Sequence, residues 1–181
     1  MTSFLPYLWQ LAWAWLLQVL LFQHGVLWGG AGVFLVHLVG VLRLPTGLPP
    51  TTYLVVAALG GAVMDVVCMT GGVHLAASAT LGMAYPSLLA AFEPRDGFRP
   101  GHSLNPFHDG WTTYAMYVAS ACALYALVLF GLQNGWGLMG RTLVHTLATT
   151  ALNVGVFLAI HGLLNRPSRR QSQGPTAYPW N

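Results

Sequence analysis

The chain has 181 residues, 55% of them hydrophobic and only 6% charged, with seven arginines, four acids and no lysine. A soluble domain carries about 25% charged residues, so this composition excludes one. The formal charge of +3 comes without a basic stripe or an aromatic stacking platform, which argues against a nucleic-acid partner.

Residues 4–22 are apolar apart from Gln10 and Gln18, and about 20 apolar residues cross a bilayer. No basic stretch precedes them and no small-residue cleavage site follows, so they read as a retained helix rather than a signal peptide. Residues 26–42 are a second candidate span, with an irregular start expected at Gly29, Gly30 and Gly32. Arg43 and the Pro45, Gly47, Pro49, Pro50 run stop it. The third and fourth spans cover 51–69 and 73–92 and are joined by Thr70-Gly71-Gly72. Pro86 is expected to bend the fourth. A polar loop over 93–110 leads to a fifth span, 111–132, and a sixth, 138–164. The tail, 165–181, is rich in arginine, serine, glycine and proline and is expected to be disordered and cytoplasmic. The expected architecture is therefore all-α, a single bundle of about six transmembrane helices.

The arginines support this count. With both termini inside, Arg43, Arg95, Arg99, Arg166, Arg169 and Arg170 share one side, and only Arg141 falls near the other. Cytoplasmic loops carry the arginine excess. Trp28 and Trp136 fall in the outer loops, at the level of an aromatic belt.

Few polar residues lie within the spans. Asp65, in the third, is costly in lipid and is expected to face protein or a water-filled cavity. His74 opens the fourth. In the sixth, Arg141, His145, Thr149 and Asn153 recur every four residues and share one winding face. That face reads either as a ligand or proton pathway or as a structural network tying the sixth span to Asp65 or Gln18; the structural reading is the stronger, because inward polar residues hydrogen-bond across helices. Asp65 and Arg141 are the one plausible intramembrane ion pair. The remaining histidines, His24, His37, His102, His108 and His161, have no metal-ligand spacing and read as interfacial or loop residues. Cys68 and Cys122 sit in apolar runs and read as core. No catalytic constellation, metal set or cofactor motif is visible. In Glu93-Pro94-Arg95-Asp96-Gly97-Phe98, proline and Asp-Gly specify a turn. Arg95 and Asp96 there could pair locally, cap neighbouring helix ends or form a docking surface.

Taken together, Leu16-Leu17-Gln18-Val19-Leu20, Gly61-x-x-x-Asp65, Gly72-Val73-His74-Leu75-Ala76-Ala77-Ser78, Pro94-Arg95-Asp96-Gly97-Phe98 and Arg141 resemble MreD, the rod shape-determining membrane protein, in its Bacteroidetes-like form. The resemblance runs from the first span to the sixth. The glycine-rich second span, the histidine-containing loop and the tail depart from it. It implies a non-enzymatic scaffold of the elongasome in the bacterial cytoplasmic (inner) membrane, supporting lateral peptidoglycan synthesis and rod shape. The implied partners are MreC, bound directly, and through it MreB, RodA and a penicillin-binding transpeptidase. The small residues Ala76, Ala77, Ala79 and Gly82 of the fourth span are one candidate MreC contact. The implied fold is similar to the substrate-binding subunits of energy-coupling-factor transporters. The alternative function is therefore a vitamin-binding subunit of such a transporter, against which Ala12 and Ala14 stand on different helix faces.

Overall fold

The structure, a computed structural model, describes residues 5–22, 26–27, 32–99 and 101–164. The expected tail, 165–181, lies outside them, as do Trp28 and His24.

The chain is mostly helical. Helix α1, Leu5–Leu17, runs on into a π-helical turn, Gln18–Phe22. A two-residue antiparallel ladder follows, β1 (Val26–Leu27) with β2 (Gly32–Val33), in register Val26↔Val33. Then come an irregular stretch, 34–37, and the five-residue helix α2, Leu38–Leu42. The expected second span over 26–42 is thus not a continuous helix. Helix survives only in its last third, and of the described residues before it, 26–27 and 32–33 are extended and 34–37 irregular. Glycine is among the poorest helix formers, and the freed backbone groups find side-chain partners described below.

Helix α3, Pro50–Cys68, starts with proline at its first turn, where the missing N–H costs nothing. It ends at Met69, which is left-handed at φ 53° and whose N–H reaches the Asp65 carbonyl. Gly71 and Gly72 follow at φ 63° and 99°, a region open to glycine, and the chain reverses into α4, Val73–Ala91. After a loop, the single turn α5 (Pro106–Asp109) leads to α6, Trp111–Asn134. A 3₁₀ turn, Trp136–Leu138, joins it to α7, Met139–Leu164.

Helices α3 and α4 form the most extensive contact, and α4 lies between α3 and α6, with α7 on the far side of α6. Glycines set the closest approaches. A Cβ on Gly82 would stand 2.8 Å from the Leu54 Cα, and one on Gly61 would stand 2.5 Å from the His74 carbonyl oxygen. Helix α1 packs on α2 through Leu11 against Gly40 and reaches α3 through Trp15 against Gly60. The core holds five tyrosines, Tyr53, Tyr85, Tyr114, Tyr117 and Tyr125. The Tyr85 and Tyr117 hydroxyls meet at 2.7 Å, and each lies within 3.2 Å of the Leu42 carbonyl. Tyr53 donates to the Pro45 carbonyl at 2.8 Å and accepts from the Leu48 N–H. Buried hydroxyls thus satisfy the end of α2 and the loop after it, where helix bonding stops.

Among the described residues, three helices are long and apolar enough to cross a membrane: Pro50–Cys68, Trp111–Asn134 and Met139–Leu163. This is the character of a membrane protein. Helix α4 matches α3 in length but carries His74, Ser78, Thr80, Pro86 and Ser87, and it is not among the three.

Candidate functional site

The polar residues inside the helices gather in two places. The first is the α3–α4 turn. The first turn of a helix leaves backbone N–H groups without partners, and Gly72, at the N-cap of α4, has no side chain to offer. Asp65, one turn before the end of α3, supplies the acceptor. Its Oδ1 takes the His74 N–H at 2.9 Å, its Oδ2 takes the Leu75 N–H at 2.7 Å, and the Thr70 hydroxyl donates to Oδ1. A negative charge at a helix N-terminus is also favoured by the helix dipole.

The expected Asp65–Arg141 pair is therefore not formed. Asp65 is engaged by α4, Arg141 is exposed at the start of α7, and among the described residues the ion pair present is His102–Asp109. Two charge-assisted backbone bonds and a hydroxyl satisfy the carboxylate without a cation. A consequence follows for substitution. Asp65→Leu removes the acceptor of two N–H groups, one part-buried and one exposed, and of a hydroxyl, and should cost about 1.5–3 kcal/mol, the contribution of a bond to a charged group. Asp65→Asn keeps one carbonyl acceptor and should cost less than half of that. Thermal unfolding in detergent separates the two; equal melting temperatures for both variants and the parent would refute the cap.

Past this cap, the His74 ring bonds through Nδ1 to the Tyr125 hydroxyl at 2.6 Å. The ring of His37 packs edge-on to Tyr125 and His74, with centroids 5.5 and 6.4 Å away. His37 is only 1% exposed, and neither of its ring nitrogens has a hydrogen-bond partner among the described residues. The expectation that His37 and His161 are interfacial or loop residues is overturned, because both are buried. His161 packs against Tyr114 at 4.7 Å. For His37 a signal was present in the sequence, since it stands inside the apolar run Val33–Val39 and could not be exposed unless the run were.

The second gathering holds the irregular 33–37 stretch. Asn153 accepts from the Leu35 N–H at 2.7 Å and donates to the Val33 carbonyl at 2.8 Å and the Thr149 carbonyl at 2.7 Å. Thr149 accepts from the Val33 N–H at 3.2 Å. From the other side, Gln18 donates to the Phe34 carbonyl at 2.9 Å and accepts from the His37 N–H at 3.3 Å. Gln18 and Asn153 are both buried. Buried backbone polar groups outside a helix must find partners elsewhere in the protein, and two carboxamides with one hydroxyl provide them here.

The four-residue stripe on α7 therefore divides. Arg141 is exposed, and His145 lies edge-on to Phe130 at 5.1 Å. Thr149 and Asn153 serve the 33–35 backbone.

The other candidates fall as follows. Ala77 and Gly82 are buried, Gly82 against α3, so they pack inside the chain rather than on its outer face. Ala76 and Ala79 are partly exposed. Arg95 and Asp96 are exposed in a turn with Gly97 at φ 75°, closed by Glu93 accepting from the Phe98 N–H. No ion pair joins Arg95 to Asp96 among the described residues. Neither is any group of three metal-ligating side chains found there. Comparison with protein-family models, with curated proteins and with solved structures found no match.

Proposed function

We propose that the chain is a non-enzymatic scaffold of the bacterial cytoplasmic membrane, an MreD-type subunit of the elongasome that holds the membrane span and adjoining segment of MreC. Through MreC it would connect to MreB, RodA and the penicillin-binding transpeptidase. The segments 4–22 and 26–42 would count with the four long helices as six crossings, both termini inside. The observation that carries the binding role is how the polar groups are used. Asp65, Gln18, Thr149 and Asn153 are engaged with backbone inside the chain, while α7, a full-length spanning helix, has only 22% of its apolar window buried. A spanning helix so little covered faces lipid or another helix.

The contact proposed for the small residues of the fourth span moves to α7 in consequence. Ala151, Gly155 and Ala159 are exposed along one face, and a side chain added at Gly155 meets nothing. Helix association in lipid rests on close packing at such small residues. Under mild solubilisation the chain should co-purify MreC in fixed ratio. Gly155→Leu should leave its melting temperature unchanged or slightly raised and lower MreC recovery about tenfold, a loss of roughly 1.4 kcal/mol. Full recovery with Gly155→Leu would remove α7 as the contact. A chain that carries a stoichiometric vitamin and no MreC would favour the transporter subunit instead.

A further inference from the structure

Two adjoining hollows lie at the end of the molecule where α3 begins and α4 ends. One, of about 480 Å³, runs between these helices and is walled by Leu48, Tyr53, Pro86, Leu89 and Ala90, with Glu93 at its outer end. The other, of about 370 Å³, lies in the loop after α4 and is lined by Arg99, His102, His108 and Asp109. Phe98 lines both, with its ring stacked on His102 at 5.5 Å and 15°. An apolar groove on a helix flank thus leads directly to a polar pocket in a surface loop.

The loop is a built structure. Thr46 donates its backbone N–H to His102 and its hydroxyl to Arg99, and its carbonyl accepts from Gly101, joining the 43–49 loop to the 99–102 segment. Charge in the pocket is uneven. Both Asp109 oxygens meet His102 Nε2 at 3.1 Å, and Oδ2 also takes the Asn105 N–H at 2.8 Å. Glu93 is occupied by the Phe98 N–H. No carboxylate pairs with Arg99 or His108 among the described residues, and both line the pocket.

We infer that this groove and pocket form a binding site for one glycerophospholipid, with its phosphate on Arg99 and His108 and the upper part of an acyl chain between α3 and α4. The match is one of chemistry and length. From Pro86 to Glu93 the groove follows roughly 10 Å of helix, enough for the first carbons of a chain whose remainder lies in the bilayer. The groove opens where apolar helix gives way to polar loop, the level at which a phospholipid changes from chain to phosphate. Arginine presents a planar fork that fits phosphate oxygens. The inference rests on the chain lying in a membrane and not on its having MreC as partner.

Native mass spectrometry of the full chain in detergent, with dioleoylphosphatidylglycerol added, tests it. One lipid should be retained per chain. Arg99→Gln combined with His108→Gln should weaken retention about tenfold or more, the loss expected for charge-assisted hydrogen bonds. Ala90→Trp, a substitution at an exposed position in the groove wall, should block the chain-binding half while the circular-dichroism melting curve stays in place. Dioleoylglycerol, which has the same chains and no phosphate, should bind at background level, and millimolar inorganic phosphate should not displace the lipid. The inference is overturned if no lipid is retained, if both variants retain it as the parent does, or if dioleoylglycerol binds equally well. Displacement by inorganic phosphate with no effect of Ala90→Trp would overturn it in favour of a free-phosphate site.

Discussion

Leucine at position 153 should lower the stability of the chain by roughly 2–5 kcal/mol, because it strands one buried and one part-buried backbone group at once. The Asn153 carboxamide takes the Leu35 N–H and gives to the Val33 carbonyl, and leucine fills the same space with neither function. Polar contacts between membrane helices average only about 0.6 kcal/mol, since the separated helices find other partners. That average does not govern here. A helix satisfies its own backbone, whereas the 33–37 stretch is not helical and depends on side chains brought to it. Thr149→Val is the internal comparison. It removes one acceptor at the longer distance of 3.2 Å and should cost about 1 kcal/mol. Thermal unfolding in detergent, with amide hydrogen exchange at Val33 and Leu35, reads both effects. Equal stability for Asn153→Leu and the parent would mean that the 33–37 stretch is held by packing alone.

Alanine at Gly61 should destabilise by about 1–3 kcal/mol, and valine by more, through overpacking of the α3–α4 contact. The added carbon would lie 2.5 Å from the His74 carbonyl oxygen and 2.8 Å from its carbonyl carbon. Ser78 Oγ, at 2.6 Å, can rotate away, but backbone cannot, so the helices must separate. The separation would pull His74 N and Leu75 N off Asp65. Gly155→Ala is the control: nothing lies within 4 Å of its Cβ, and helix propensity alone predicts a gain of up to about 1 kcal/mol. If the two alanine variants melt together, the α3–α4 approach is looser than these distances require.

The long helices are legible in the sequence because lipid demands uninterrupted apolar runs, and glycine with proline marks their ends. The residues of α3, α4, α6 and α7 announce themselves in this way, down to the Gly71-Gly72 turn. The structure of 26–42 does not. Its composition is that of a span, and hydropathy cannot tell a helix from an extended strand whose bonds are made elsewhere. The glycines hinted at irregularity, but the compensating groups, Gln18 and Asn153, are 16 and 118 residues away from the backbone they serve. Asp65 shows the same limit in charge. Composition suggests pairing one buried acid with one nearby base, yet the acid finds backbone N–H groups nine and ten residues ahead. Such local donors are invisible to a count of side-chain charges. The small residues of α4 were read as an outward surface because their spacing is the same whether the neighbour is a partner or α3.

The irregular 33–35 backbone also bears on biosynthesis. Its partners Thr149 and Asn153 belong to the last helix, 116 to 120 residues later in the chain, and a polypeptide is made from its N-terminus at about 5–20 residues per second. For several seconds the Val33–Leu35 backbone therefore exists without the side chains that satisfy its N–H and C=O groups. Until α7 emerges, those groups must stay hydrated or borrow other partners. A ribosome stalled before codon 149 would thus hold a chain in which this one stretch lacks its partners, and release of α7 would be the event that completes its folding.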